Sequence, residues 1–374
     1  MRKKLELYIH IPFCIKKCEY CDFLSGPANL QRQREYVDAL CKEIQASEGY
    51  ETYEVSSIFF GGGTPSILPG EWLAEIMKMI YQRFHVLENA EISIEANPGT
   101  VTEEKLFQYC KAGVNRISFG CQSTNNQELK MLGRIHTWEE FLDSFQMARN
   151  AGFTNINVDL MSGLPSQSLQ TWENSLKKVA MLGVEHISAY SLIIEDGTPF
   201  AEYELDLPDE EEERKMYENT AAILKQYGYH QYEISNYAKE GYACRHNCGY
   251  WNRTEYLGLG LGSASLVNEV RFSNISDMDF YLKYSGEPSK LREDMQELSE
   301  NEQMEEFMFL GLRMLEGVSS DSFFEKFGKK MENVYDAVIQ KYVDLGLLEW
   351  NANNLRLTRR GISVSNQIFA DFLF

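Results

Sequence analysis

Six short runs rich in β-branched and aromatic residues, LELYIHI, VSSIFFGG, EISIEA, RISFG, NINVDLM and HISAYSL, begin at residues 5, 55, 91, 116, 155 and 186. The intervals between them carry amphipathic stretches, and each is long enough for one strand and one crossover helix. In LPGEWLAEIMKMIYQRF the helical stretch follows Pro69, and TEEKLFQYCKAG has Thr102 as its N-cap and Gly113 as its stop, so helix boundaries are written into the sequence. Repeated strand–helix units place their strands parallel and side by side. The chain is therefore expected to be α/β, with a partial, TIM-like (β/α)6 barrel over residues 1–290.

From about residue 295 the pattern changes to the helical stretches NEQMEEFMFLGLRMLEG, SSDSFFEKFG and MENVYDAVIQKYVDLGLL, a hairpin in LEWNANNLRLT and a last helix. This predicts a small winged-helix-like domain over 295–374. Lys and Arg number 36 against 56 Asp and Glu, a formal charge of -20. Nucleic-acid backbones are bound through Lys and Arg that displace counterions, so the domain reads as a packing or lid module and no nucleic-acid partner is expected. An anionic membrane surface is disfavoured for the same reason. DLPDEEEER, around Asp206, reads as a solvated helix start favoured by the helix dipole.

No apolar run approaches the length of a transmembrane helix, and the opening MRKKLELYIHIPFC lacks the pattern of a signal peptide. Eight cysteines in such a chain point to a reducing compartment, the cytoplasm, where clustered thiols mean metal or catalysis more often than disulfides. Three of them, Cys14, Cys18 and Cys21, share one short loop after the first strand. A C-x3-C-x2-C loop can fold around an iron–sulfur cluster with one iron left open, or around zinc if His10 supplies a fourth ligand. Cys41, Cys110 and Cys121 occupy apolar positions and read as core residues.

Charged and polar groups also end the later strands. FFGGGTPS follows the second, Glu95 closes SIEANPG, Gln122 follows the fourth, Arg134 ends the next helical stretch, and Asp159 sits in NVDLMSGLP. A charge within an apolar strand is costly unless it is paired or functional, and barrel enzymes build their sites at strand C-termini.

The loop YIHIPFCIKKCEYCDF resembles the cluster loop of the radical S-adenosylmethionine (SAM) superfamily. That resemblance covers most of residues 5 to 265. It implies a radical SAM barrel in which Cys14, Cys18 and Cys21 hold a [4Fe-4S] cluster. It further implies SAM contacts from Tyr8, Tyr20, Gly62, Gly63, Thr64, Glu95, Gln122, Arg134 and Asp159. The family pattern also places Ile193 near the SAM backbone contacts, on a residue type too generic to carry an assignment. YLGLGLGSAS, from Tyr256, either wraps the adenosine or turns the chain beside a strand.

Within the superfamily the sequence is most similar to the branch of the oxygen-independent coproporphyrinogen III dehydrogenases and the heme chaperones, HemN and HemW. Phe23 stands where dehydrogenase-type loops carry a further cysteine, the Tyr8 motif starts almost at the N-terminus, and HNCGYW, from His246 to Trp251, resembles the HNxxYW element of the chaperone side. The resemblance thus implies a chaperone that binds heme and delivers it to apo-hemoproteins, ahead of a dehydrogenase acting on coproporphyrinogen III. A homodimer, and peripheral contact with membrane hemoproteins, are compatible with it. His246 offers an imidazole for heme iron and Tyr250 and Trp251 flat apolar faces. A structural histidine, or a zinc site shared with Cys244 and Cys248, are the alternatives.

Overall fold

The protein is described over residues 2–374 by a computed structural model. Strands β1 (Lys3–Ile11), β2 (Tyr53–Gly62), β3 (Val86–Ala96), β4 (Arg116–Gln122), β5 (Ile156–Ser162) and β6 (His186–Ser191) lie in chain order, each parallel to the next. Between them run α1 (Leu30–Ala46), α2 (Gly70–Arg83), α3 (Glu103–Lys111), α4 (Asn126–Met131), α5 (Trp138–Ala151) and α6 (Leu169–Met181). The caps follow the sequence signals. Thr102 accepts from the Lys105 amide at the start of α3, and Thr137 forms a capping box with Glu140 at the start of α5. Helix α7 (Glu210–Gln226) is capped by Asp209, with four glutamates in its first turn, as the acidic run predicts.

Alternation along each strand decides what faces where. On β1, Leu5, Leu7, Ile9 and Ile11 join the apolar core beneath the helices, while Glu6, Tyr8 and His10 fall on the opposite face. Strand β4 repeats the scheme, with Ile117, Phe119 and Cys121 in the core layer and Arg116, Ser118, Gly120 and Gln122 on the other face. The lumen of the barrel is largely polar because most of the alternate residues of the six strands are polar, Phe59 on β2 and Met161 on β5 being among the exceptions.

The sheet continues beyond these six strands. After α7 come β7 (His230–Gln231), β8 (Asn236–Ala238), α8 (Arg245–Trp251), β9 (Tyr256–Leu259), β10 (Ala264–Val267), β11 (Val270–Asn274) and β12 (Arg292–Glu297). The twelve strands are ordered β12-β11-β10-β9-β1-β2-β3-β4-β5-β6-β8-β7. Strand β9 is parallel to β1, whereas β8 runs antiparallel to β6. The end strands do not pair, so the barrel is partial and open. YLGLGLGSAS forms β9 and the turn into β10, pinned where Glu43 accepts the Gly260 amide at 2.9 Å.

A second core gathers Met304, Met308, Phe323, Tyr335, Leu355 and Ile368 among short helices and a three-stranded sheet (Val318–Ser319, Leu348–Asn351, Asn354–Leu357). The expected hairpin is present. Two expected helices are shorter: the first stops at Gly311, and the stretch from Met331 breaks at Tyr335, whose ring packs against Phe323 and Phe372. Arg253 ties this part to the barrel through Glu306 at 2.8 Å, and Lys326 reaches back to Glu269 at 3.1 Å. Among the described residues no helix is long and apolar enough to cross a membrane.

Candidate functional site

After β1 the chain makes a loop closed at its neck by reciprocal backbone bonds, Gly26 N–H to Pro12 and Cys14 N–H to Gly26, at 3.1 and 3.0 Å. Its far side is tied to the end of α4 by the Glu19 amide on the Leu132 carbonyl. So held, the loop turns Cys14, Cys18 and Cys21 into a cavity of about 300 Å³ at the C-terminal ends of the strands. None of the three is in a disulfide. Thr64 Oγ1 donates to Cys14 Sγ at 3.4 Å and Arg134 Nη1 donates to Cys18 Sγ at 3.5 Å, so two of the three sulfurs already carry a hydrogen-bond donor.

Of the residues the family pattern assigns to SAM, Tyr20, Gly62, Gly63, Thr64, Glu95, Gln122, Arg134 and Asp159 all line this cavity. Tyr8 lies just below, on a neighbouring cavity that shares Glu95 and Asp159. The glycines are required by space: a Cβ on Gly62, whose φ is +107°, would stand 2.5 Å from the His10 ring, and one on Gly63 2.6 Å from the Phe13 carbonyl. Gln122 holds a left-handed backbone (φ 67°) and accepts from Tyr190 at 2.9 Å, a strained position of the kind found at functional sites. Arg134 is clamped on Asn97 and the Gly120 carbonyl.

The carboxyls are buried. Glu95 accepts the Gly62 amide at 3.2 Å, and burial together with the nearby Asp159 pushes its pKa up to about 8. Burial also raises Asp159, against hydrogen bonds from Asn157 and Ser118. Burial disfavours the charged form of both carboxyls, and a cation entering the cavity favours it. The cavity thus combines three soft donors, backbone that a ligand can approach closely, and two buried carboxyls. That set fits a thiolate-bound metal centre beside a cationic small molecule.

His10 does not complete a zinc site. Its Nε2–H donates to the Leu24 carbonyl at 3.0 Å and its Nδ1 accepts from Tyr8 at 3.1 Å, leaving no free lone pair.

The heme ligand expected at His246 is likewise not presented in this conformation. Helix α8 plugs the floor of the barrel, where His246 is 1% exposed, with Nδ1 bonded to Ser57 at 2.8 Å and Nε2 to Tyr250 at 3.1 Å. Its ring stacks on Phe59, and burial, helped by Arg116, lowers its pKa to about 3, so it is neutral. Glu6, 3.7 Å away, is pushed up to about 9 by burial and is neutral too, so the two form no ion pair. The zinc alternative fails here as well, because the Cys244 thiol donates to Glu91, which also accepts the Arg245 and His246 amides.

Sequence reasoning missed Arg116, Asn157 and Tyr190. Arg116 is fully buried beside the floor cavity, and its Nε has no hydrogen-bond partner among the described residues. The same rule that singles out Glu95 and Asp159, a charge inside an apolar strand, marks Arg116 in RISFG. Ile193 does line the cysteine cavity.

Comparison with known proteins places these features. The pattern described as the radical SAM superfamily matches residues 8–179, and that of the HemN C-terminal domain matches residues 298–364. The chain is 38% identical to the heme chaperone HemW of Bacillus subtilis, over 98% of each chain. It is 41% identical to the heme chaperone HemW of Escherichia coli over 70% of each. Among solved structures, coproporphyrinogen III oxidase (HemN) from Escherichia coli, described as a radical SAM enzyme, superposes with a TM-score of 0.86 at 24% identity, covering 99% of this chain and 90% of that one.

Proposed function

This chain belongs to the HemW family of the radical SAM superfamily, and from that membership and its site we propose that it is a heme chaperone. In this reading it holds a [4Fe-4S] cluster on Cys14, Cys18 and Cys21, binds SAM beside it, and passes heme to apo-hemoproteins. The observation that carries the cofactor reading is the convergence of three unpaired thiols and eight family-pattern residues on one cavity. When bound, the cluster supplies one-electron chemistry at an iron without a side-chain ligand.

The chain's own residues prepare the site. Thr64 and Arg134 each bring a hydrogen-bond donor to a cysteine sulfur, Cys14 and Cys18 respectively. Gly62 and Gly63 let a ligand's polar end reach backbone. Glu95 releases its proton when a cation enters, so the ionised carboxylate is formed only where it is matched. Arg134, Gln122 and Asp159 offer further polar contacts from three different segments.

Two separate cores support a division into a barrel over 1–290 and a C-terminal unit over 295–374. We further propose a cytoplasmic protein, with a homodimer and peripheral contact with membrane hemoproteins as compatible arrangements. Coproporphyrinogen III dehydrogenase activity has only the shared fold in its favour. Anaerobic spectroscopic titration of cluster-loaded protein with heme tests the reading, and a protein that takes up no heme contradicts it. Conversion of coproporphyrinogen III with SAM and a reductant would instead establish the dehydrogenase.

A further inference from the structure

The cysteine cavity is polar within and apolar at its rim. Phe23 and Ile193 come from different segments, one directly after the cysteine loop and the other after β6, yet both line the same cavity while 61% and 69% exposed. Ile15, Leu24 and Ile194 on the same two segments are also exposed, at 53%, 41% and 37%, but do not line the cavity. Large apolar side chains gathered in water around one opening mark a binding surface more often than isolated ones do. Two cations stand among them. Lys16 and Lys17 line the cavity, with the Lys17 ammonium on the Phe23 carbonyl at 3.0 Å and Lys16 at 3.6 Å from Glu19. In a chain of net charge -20, a paired cation beside an apolar rim suits a ligand that is flat, apolar and carries carboxylates at one edge.

We propose that heme docks at this mouth, one face on Phe23 and Ile193 and its propionates on Lys16 and Lys17. The inference rests on the heme-chaperone reading and adds the location. Asp22 and Glu195 stand at the same opening and repel carboxylates, so the lysines set the orientation. Heme held there covers the cavity that holds the thiols. The floor contributes nothing to it, because His246 has both nitrogens engaged.

The test is anaerobic titration of the cluster-loaded full chain with heme and with heme dimethyl ester, followed by absorbance. Wild-type protein should prefer heme. Ile193→Ser and Phe23→Ser should each weaken heme about tenfold, the scale of one apolar side chain removed from a contact. The double variant Lys16→Glu/Lys17→Glu should lose the preference for heme over its ester and leave the ester unchanged. Phe23 and the lysines flank the cysteines, so iron is counted in every variant, and Ile193→Ser, which lies outside the loop, stands independently of them. Heme should also slow removal of cluster iron by a chelator severalfold in wild-type protein.

Wild-type affinity in Ile193→Ser and Phe23→Ser with iron intact would overturn the proposal, as would an unchanged rate of iron loss. A wild-type protein that binds neither porphyrin would overturn the chaperone reading itself and this inference with it.

Discussion

At the mouth of the barrel Cys14, Cys18 and Cys21 line an open cavity and Glu95 holds one backbone amide, whereas at the floor every histidine nitrogen is already bonded within the protein. His246 uses Ser57 and Tyr250, and His186 uses Asn157 and Tyr232. Both regions border the same six strands, with the cysteines on the loop after β1 and His246 on α8, and polar side chains line both. The difference lies in where their hydrogen bonds go. Groups spent on one another stabilise a fold, and groups with unused capacity are available to a ligand. This is why the nitrogens of His246 in HNCGYW are occupied in this conformation while the cysteine loop above it faces an open cavity.

The comparison can be broken in several places. Replacing Cys14, Cys18 or Cys21 by Ala should remove nearly all cluster iron and leave the circular dichroism and melting profile of the metal-free chain unchanged. Such a variant that kept its iron would remove the mouth from the account. His246→Ala should do the reverse. With Ser57 and Tyr250 left unpartnered in a buried floor, stability should fall by about 3 kcal/mol in denaturant titration, while heme affinity stays within about twofold. Loss of heme binding at unchanged stability would return the heme to the floor.

Glu95→Gln sharpens the contrast through pH. The folded-state pKa is about 8, above the ordinary carboxyl value of 4.5, so between these values the native chain binds more protons than the unfolded one and this carboxyl's contribution to stability falls as pH rises. The amide removes that loss. The metal-free variant should therefore be more stable than wild type by about 2 kcal/mol at pH 9, with little difference near pH 5. SAM affinity should fall at least tenfold in calorimetry, because the counter-charge is gone. The smallest effect is expected at Thr64→Val, where a single weak donor to Cys14 is lost: cluster retained, and stability changed by less than about 1 kcal/mol in the same denaturant assay.

Much of this was legible before any coordinates. The order of strands and helices follows from periodicity, and the cysteine loop from spacing that few other chemistries need. Glu95 and Asp159 are legible because an apolar strand makes a charge conspicuous. The edge strands β7 to β12 were not, since they are short, rich in turns and fixed by pairing with distant β1 and β6. Tyr335, where an expected helix breaks, was also hidden, because the reason is an aromatic contact far along the chain. His246 shows the limit most clearly. Its type and neighbours favour iron, and only Ser57, 189 residues away, reveals that its nitrogen is occupied.

The most direct measurement is the iron and acid-labile sulfide content of anaerobically reconstituted protein, with SAM added to perturb its spectrum. About four irons and four sulfides per chain, with an iron signal that shifts on SAM, are predicted for a cluster held by three thiolates. Colourless, iron-free protein, or a cluster whose spectrum SAM leaves untouched, would contradict the account.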